Sequence, residues 1–123
     1  MEVVRTELAH DPTVDITTTG RRSGLPRRME IWMLDVDGRF FITGTQGTRD
    51  WVANLRADPS LIVHLKRRAH MDLAAHATPI TDPEARRAVL EHGSAAWYRD
   101  QEPLDDLVAT APMVEVTFDD ATA

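Results

Sequence analysis

Residues 14–45 read VDITTTGRRSGLPRRMEIWMLDVDGRFFITGT, and this stretch decides the fold. Residues 14–19 alternate and are rich in β-branched side chains, and residues 28–34 also alternate, so both segments are predicted to be β-strands. The segment between them holds two glycines and a proline among polar residues, which indicates a loop. Asp37-Gly38 is a strong signal for a short hairpin turn, so residues 40–45 are predicted to return as a third strand. Strands that are joined by short turns favour an antiparallel sheet.

The rest of the chain adds three predicted strands and two predicted helices. The strands are expected at residues 61–66, 70–80 and 113–118. One helix is predicted over residues 48–57, where the apolar spacing becomes helical. A second is predicted from Asp82 to about Tyr98, because an N-cap aspartate is followed there by a proline at the first helical position. Residues 101–111 are acidic and are predicted to be at most weakly helical. Six strands with two helices packed outside them predict an α+β antiparallel barrel.

Length, composition and charge restrict the class of protein. A chain of 123 residues with 42% hydrophobic and 28% charged residues is predicted to form one globular domain over residues 1–123. The formal net charge of −6 argues against general nucleic-acid binding, which uses clustered basic residues. The absence of cysteine excludes thiol catalysis and Cys-based metal sites. No apolar run approaches the roughly 20 residues of a membrane span, and residues 1–10 lack the apolar core of a signal peptide, so a cytoplasmic protein is expected.

The first candidate site is the loop GRRSGLPR at residues 20–27. Its two glycines allow a tight turn that exposes backbone N–H groups, which can form an anion-binding nest. Ser23 adds a hydroxyl donor, while Arg21, Arg22 and Arg27 add charge with the planar geometry that suits phosphate and carboxylate. The loop therefore predicts a site for a phosphate or a polycarboxylate tail. A solvated hairpin turn, whose arginines pair with nearby acids, is the alternative, and the residues alone leave both interpretations open.

The second candidate site is TGTQGT at residues 43–48, which leads into a helix with Trp51 and Asn54. A strand end rich in glycine and threonine that runs into a helix N-terminus suits an anion or another polar ligand. A plain capped loop, with Trp51 packed in the core, is the alternative. No metal site is expected, because His70 and His76, which share a predicted strand face, lie about 20 Å apart along an extended strand.

Two of these stretches, taken together, resemble the deazaflavin-dependent nitroreductase family. TTTGRRSGLPR at residues 17–27 is similar to the signature loop of that family. Thr45-Gln46-Gly47, followed by WVANLRADP at residues 51–59, is similar to a second family motif. The likeness covers about residues 16–80, and the two motifs stand in the family order. These proteins are split β-barrel flavin and deazaflavin oxidoreductases, so the resemblance implies a six-stranded antiparallel split β-barrel, FMN-binding-like, with two packed helices.

The resemblance also implies a cofactor and the residues that hold it. The cofactor is coenzyme F-420, a deazaflavin with a phosphate and a polyglutamate tail, and in the family the arginine loop holds the phosphate. The implied cofactor-binding residues are Arg21, Arg22, Ser23, Gly24 and Arg27 at the loop, Trp32, Thr43, Thr45, Gln46 and Gly47 beside the ring, and Trp51 and Asn54, which buttress the pocket. Glu30 also flanks the ring; it stands where the family often has proline, and Gln46 stands where lysine is usual.

The activity that the resemblance implies is an F-420-dependent oxidoreductase. Hydride would pass from the reduced coenzyme to a small electron-poor acceptor such as a quinone, an enone or a nitroaromatic compound. Because the cofactor carries the redox chemistry, no side chain has to react covalently, and Tyr98 or solvent can supply a proton. Two alternatives stay open: an FMN-binding split-barrel oxidoreductase whose loop takes the 5′-phosphate, and a non-catalytic protein that binds the coenzyme. Split barrels of this class often pair, so a homodimer is expected.

Overall fold

The computed structural model describes residues 2–45 and 49–119. Within them the chain forms seven β-strands, five α-helices and one short 3₁₀ helix. The strands are β1 (Thr13–Thr19), β2 (Pro26–Trp32), β3 (Leu34–Val36), β4 (Arg39–Thr43), β5 (Ser60–Leu65), β6 (Met71–Pro79) and β7 (Met113–Phe118). The helices are α1 (Glu2–His10), α2 (Asp50–Ala57), α3 (Pro83–Glu91), α4 (Ala96–Gln101) and α5 (Leu104–Thr110), with the 3₁₀ helix at Gly93–Ala95.

The strands form one antiparallel sheet in the order β2-β1-β5-β6-β7-β4-β3, which confirms the predicted α+β split barrel. A single residue, Met33, separates the two edge strands β2 and β3 in sequence. Because adjacent Cα atoms are only about 3.8 Å apart, the sheet has to curl until these edges meet near Trp32. Met33 is buried at this corner and donates from its N–H to the Pro12 carbonyl at 2.9 Å. The predicted strand 28–34 is therefore broken at Met33, and the sheet has seven strands instead of six.

Strand β1 packs against the barrel interior, whereas β2 leaves the barrel open on its side. In β1, Val14, Ile16 and Thr18 are buried, while Asp15 and Thr17 between them are partly exposed. In β2, by contrast, the first five residues are exposed on both faces of the strand. The interior is filled by Met33 at the corner, by Trp51, Val52 and Leu55 from α2, and by the strand residues Val14, Ile16, Phe40, Ile42, Leu61, Val63, Leu65, Ala75, Ala77, Val114, Val116 and Phe118. Helix α2 thus lies beside the opening that β2 leaves.

The second predicted helix starts as expected and ends early. Asp82 accepts a hydrogen bond from the N–H of Ala85 at 2.9 Å, and Pro83 occupies the first turn of α3. The helix ends at Glu91, and the expectation that it runs to about Tyr98 is wrong. The reason is local, because His92 is extended and its Nδ1 accepts from the N–H of Ser94, which starts the 3₁₀ helix instead.

Residues 101–111 are more helical than their sequence suggests, since α5 covers most of them. The buried side chain of Arg86 in α3 donates to the carbonyls of Leu107, Val108 and Ala111 at the end of α5, and also to the carbonyl of Ile80. A guanidinium at a helix C-terminus satisfies carbonyls that have no partner within the helix. This contact spans more than 20 residues, so a local pattern does not indicate it.

Helix α1 was not predicted, and a buried carboxylate holds it in place. Val4 and Leu8 are buried one helical turn apart. The carboxylate of Glu7, which is also buried, accepts three hydrogen bonds at 2.9–3.0 Å from the N–H groups of residues 67–69, in the turn between β5 and β6. Burial raises the pKa of Glu7, but these three bonds outweigh burial, and the net pKa is lowered.

Candidate anion-binding site

A cavity of about 420 Å³ opens between the arginine loop, β2 and the start of α2. This size falls within the range of about 300–1,000 Å³ that is usual for ligand sites. The lining residues come from both predicted motifs, although these are about 30 residues apart in sequence. They are Thr18, Gly20, Arg21, Arg22, Ser23, Arg27, Met29, Asp50, Trp51 and Asn54.

The loop closes on itself through its glycines. The N–H of Gly20 donates to the Leu25 carbonyl, and the N–H of Gly24 donates to the Gly20 carbonyl, both at 2.8 Å. Gly24 has φ +70°, a conformation that favours glycine, and a Cβ on Gly20 would lie 2.7 Å from the Oγ of Ser23. That Oγ accepts from the N–H of Leu25 at 3.1 Å. Ser23 therefore stabilises the turn in the free protein.

The three arginines of the loop have different surroundings. Arg21 donates from its backbone N–H and from Nη1 to the Oδ1 of Asn54, at 3.1 and 3.0 Å, and its Nη2 lies 3.4 Å from a carboxylate oxygen of Asp50. The side chains of Arg22 and Arg27 make no hydrogen bond or ion pair within residues 2–45 and 49–119. The alternative of a turn whose arginines all pair with acids thus holds for Arg21 alone. Two unpaired guanidinium groups at the cavity rim favour an anion.

The pairing register of β2 explains why Arg27 reaches the cavity while the next arginine does not. Arg27 pairs with Thr18, which faces the barrel interior, whereas Arg28 pairs with Thr17 on the outer face. There the Nε of Arg28 donates to a carboxylate oxygen of Asp15 at 3.0 Å. Successive side chains of a strand point to opposite faces, so the two neighbours belong to different surfaces.

Asn54 and Trp51 project from α2 on one side of the cavity. Asn54 is buried, and besides its two bonds from Arg21 it donates from Nδ2 to the Oγ1 of Thr18 at 3.3 Å. Trp51 is 4% exposed and belongs to the barrel core, so both the core and the cavity wall depend on it. Both residues were predicted, one helical turn apart on one face of the helix.

Several predicted residues lie elsewhere, and Gln46 and Gly47 fall outside the described residues. The Oγ1 of Thr43 donates to the Pro112 carbonyl at 2.7 Å in a buried position, and the Oγ1 of Thr45 accepts from Arg49 at 3.0 Å. Gly24 lies on the far side of the loop, against the outer face of the sheet. None of these three is among the residues that line the described cavity. Glu30 is also on the outer face, where Lys66 donates to it.

Trp32 packs in an aromatic cluster instead of lining the cavity. Its ring lies 5.4 Å from that of Trp97 and 6.2 Å from that of Tyr98, both edge to face. Tyr98 is buried in a second hydrophobic cluster, separate from the barrel interior, and burial raises its pKa to about 12. This second cluster consists of Leu34, Phe41, Val89, Leu90, Ala95, Tyr98, Leu107, Ala111 and Met113. As the acceptor's proton source, Tyr98 is therefore less suitable than solvent.

Three cavity residues were missed by sequence reasoning, and each has a signal that could have found it. Thr18 shares the inner face of β1 with Ile16, and Met29 follows Arg27 by two residues on the same face of β2. Asp50 precedes Asn54 by one helical turn. The side-chain spacing of a strand or a helix therefore puts Thr18, Met29 and Asp50 next to residues that were predicted.

No group of three His, Cys, Asp or Glu side chains among residues 2–45 and 49–119 could hold a metal ion. In the same part of the chain, no helix is long and apolar enough to cross a membrane.

Comparison with known proteins gives a family and a fold. A family model described as "F420H(2)-dependent quinone reductase" matches residues 2–105, most of the chain, and confirms the resemblance seen in the two motifs. Among solved structures, the chain is similar to a NimC/NimA family protein from Clostridium acetobutylicum, with 12% identity, TM-score 0.72 and coverage of 95% of this chain and 79% of that one.

Two other structures extend the comparison. A putative pyridoxamine 5′-phosphate oxidase from Listeria innocua has 10% identity and TM-score 0.70, over 96% of this chain and 92% of that one. A structure described as "F420-H2 Dependent Reductase (FDR-A)" has 20% identity and TM-score 0.60, over 87% of this chain and 95% of that one. At such identities the likeness shows a shared split-barrel fold.

Proposed function

Because the chain belongs to the F420H(2)-dependent quinone reductase family, we propose that it passes hydride from reduced coenzyme F-420 to a small electron-poor acceptor, a quinone, an enone or a nitroaromatic compound. Family membership makes the protein an oxidoreductase with coenzyme F-420 as its cofactor, as the resemblance predicted. What we propose beyond family membership is the chemical class of the acceptor. The main support for the site is that Arg22 and Arg27, at the rim of the cavity, have no partner within residues 2–45 and 49–119.

The residues of the cavity fit this coenzyme. A phosphate diester and a tail of carboxylates require cations at one end of the site, and Arg22 and Arg27 supply two that have no partner within residues 2–45 and 49–119. A ring requires an apolar surface, and Met29, which is 38% exposed, lies two residues beyond Arg27 on the same face of β2. The strand thus supports a polar end and an apolar end about 7 Å apart.

The chain's own contribution is to bind and orient, because the deazaflavin ring, when bound, supplies the hydride. Arg22 and Arg27 hold the anionic end through charge-assisted hydrogen bonds. Met29 and Trp51 give the end of the cavity that takes the ring apolar walls that restrict water. The proton that completes reduction of the acceptor comes from solvent, since Tyr98 is buried in the second cluster.

The experiment is a titration of the purified protein with oxidised and reduced coenzyme, followed by an assay of menadione reduction. Saturable binding together with turnover supports the proposal, and the absence of both contradicts it. Tight binding without turnover across quinones, enones and nitroaromatics would favour the non-catalytic alternative. Protein that purifies yellow with bound FMN, whose 5′-phosphate suits the same two arginines, would contradict coenzyme F-420 as the cofactor.

We also propose that the protein is a homodimer that associates through the outer face of β1, β5 and β6. A shallow depression of about 390 Å³ on this face includes Thr17, Ile62 and Ala74, and Ile62 is 40% exposed. Charges at its margin are already paired, as in Arg28 with Asp15 at 3.0 Å. A face whose charges are satisfied within one chain can be covered by a second copy without leaving a charge unpaired.

A charge introduced at the centre of this face tests the dimer, because an unpaired charge buried in an interface is costly. Ile62→Arg should convert a dimer into a monomer in light scattering. Trp97→Arg, which changes a residue that is 47% exposed in α4, is the matched control and should leave the mass unchanged. A wild-type monomer contradicts the proposal.

A further inference from the structure

The resemblance assigns Arg21 and Asn54 to the cofactor, but their contacts indicate a different task. Both lone pairs of the Asn54 Oδ1 are taken, one by the backbone N–H of Arg21 and the other by its Nη1. The Asn54 side chain is also tied to β1 through the Oγ1 of Thr18. A ligand can therefore reach this oxygen only by displacing Arg21.

The guanidinium group of Arg21 contacts two side chains of α2. It is shared between the amide oxygen of Asn54 and the carboxylate of Asp50, which are one helical turn apart. Within residues 2–45 and 49–119, Arg22 and Arg27 have no such partners. One loop thus carries one arginine bound to the protein and two that are free.

The loop's own hydrogen bonds do not attach it to the helix. Within residues 2–45 and 49–119, the turn's own hydrogen bonds join Gly20, Ser23, Gly24 and Leu25 to one another. Among the described residues, the bonds from the loop to α2 are those made by Arg21. Pairing of β1 with β2 fixes the two ends of the turn, and the contacts of Arg21 link the turn, with Arg22 next to it, to α2.

We propose that Asn54 and Arg21 are positioning residues, which hold the loop against α2 so that Arg22 faces the same anion as Arg27, whose place is set by β2. In this arrangement Arg21 is not an anion ligand, although its neighbour Arg22 is. The proposal rests on the proposed function for the identity of the anion, but the placement of the loop can be measured without any ligand.

The ligand-free test is amide hydrogen exchange in the apo protein. The amide of Arg21 should be protected by Asn54, whereas the amides of Arg22 and Ser23, which have no acceptor among residues 2–45 and 49–119, should exchange rapidly and serve as references. Asn54→Leu, which has similar volume and no acceptor, should remove the protection of Arg21. Unchanged protection in this variant overturns the proposal whether or not coenzyme F-420 binds.

The ligand-dependent test is a double-mutant cycle on the affinity for oxidised coenzyme F-420. Arg21→Ala removes one of two hydrogen bonds to Asn54 and should weaken binding about two- to tenfold, and Asn54→Leu should weaken it at least as much. Since both act through one contact, the double variant should bind as Asn54→Leu does alone. Factors that multiply in the double variant would mean that Arg21 binds the phosphate itself, and would overturn the proposal.

Two controls keep this result interpretable. If Asn54→Leu fails to fold, Arg21→Ala alone still decides, because its exposed side chain leaves no cavity behind. For a positioning role, its effect should persist in high salt, while that of Arg22→Ala should shrink, since only the latter loses a direct charge contact. An Arg21→Ala effect that disappears with salt in parallel with that of Arg22→Ala contradicts positioning. No coenzyme binding by the wild-type protein refutes the proposed function and leaves the hydrogen-exchange result to judge the loop.

Discussion

Removing Arg22 or Arg27 should weaken coenzyme binding without destabilising the protein. A charge-assisted hydrogen bond contributes about 1.5–3 kcal/mol, and because both side chains are exposed to solvent, the lower end applies. Arg22→Ala and Arg27→Ala should therefore each raise the Kd for oxidised coenzyme F-420 about tenfold. Neither side chain has a partner within residues 2–45 and 49–119, so no contact of the folded state is lost and the melting temperature should hardly change.

The double variant and the salt dependence sharpen this prediction. If the two guanidinium groups share one phosphate, the loss in Arg22→Ala/Arg27→Ala should be smaller than the product of the single losses. Raising the salt concentration should narrow the gap between wild type and variants, because charge is the cause. The assay is a fluorescence titration at low and high salt, with thermal melting in parallel.

Arg28→Ala is the matched control, since it removes the next arginine of β2, which faces outward and pairs with Asp15. It should leave coenzyme affinity unchanged. The reasoning is refuted if Arg22→Ala or Arg27→Ala keeps wild-type affinity and melts several degrees lower. That result would make the loop a structural ion-pair network and return the solvated-turn interpretation.

Three further predictions concern the elements that frame the site. Glu7→Gln should lower the free energy of unfolding at neutral pH by about 1.5–3 kcal/mol. Because folding lowers the pKa of Glu7, its carboxylate stabilises the protein above the unfolded pKa of 4.5, and this stabilisation is lost as the pH falls below that value. The stabilities of wild type and variant should therefore converge in denaturant titrations at acid pH. Arg86→Met should cost about 3 kcal/mol or more in urea unfolding, because buried carbonyls at the end of α5 lose their donor, and equal stability would contradict that role. Gly20→Ala should disrupt the loop and weaken coenzyme binding, because its Cβ would meet Ser23 and a backbone carbonyl, whereas Gly93→Ala, with nothing within 4 Å, should leave affinity unchanged.

The parts of the fold that sequence could predict are those with local causes. Alternation placed β1 and most of β2, and Asp37-Gly38 placed the hairpin that follows, with Asp37 at φ 55° and Gly38 at φ 90° as such a turn requires. The spacing of Trp51 and Asn54 placed both on one face of α2. In each case the determining residues lie within one strand, turn or helix.

The parts that sequence did not predict depend on contacts between distant segments. Helix α1 is held by Glu7 reaching residues 67–69, and α5 is held by Arg86 from α3, so neither has a sufficient local pattern. At the site, sequence alone does not distinguish the roles of Arg21, Arg22 and Arg27. Only the approach of Asn54, more than 30 residues away, distinguishes Arg21 from the two that stay unpaired.

A crystal structure of the protein with bound coenzyme F-420 tests the central claim most directly. We expect the phosphate within hydrogen-bond distance of the Arg22 and Arg27 guanidinium groups, the ring along β2 beside Met29, and the Arg21–Asn54 bonds unchanged. A coenzyme whose phosphate lies elsewhere, or is held by Arg21 after it has left Asn54, would contradict it.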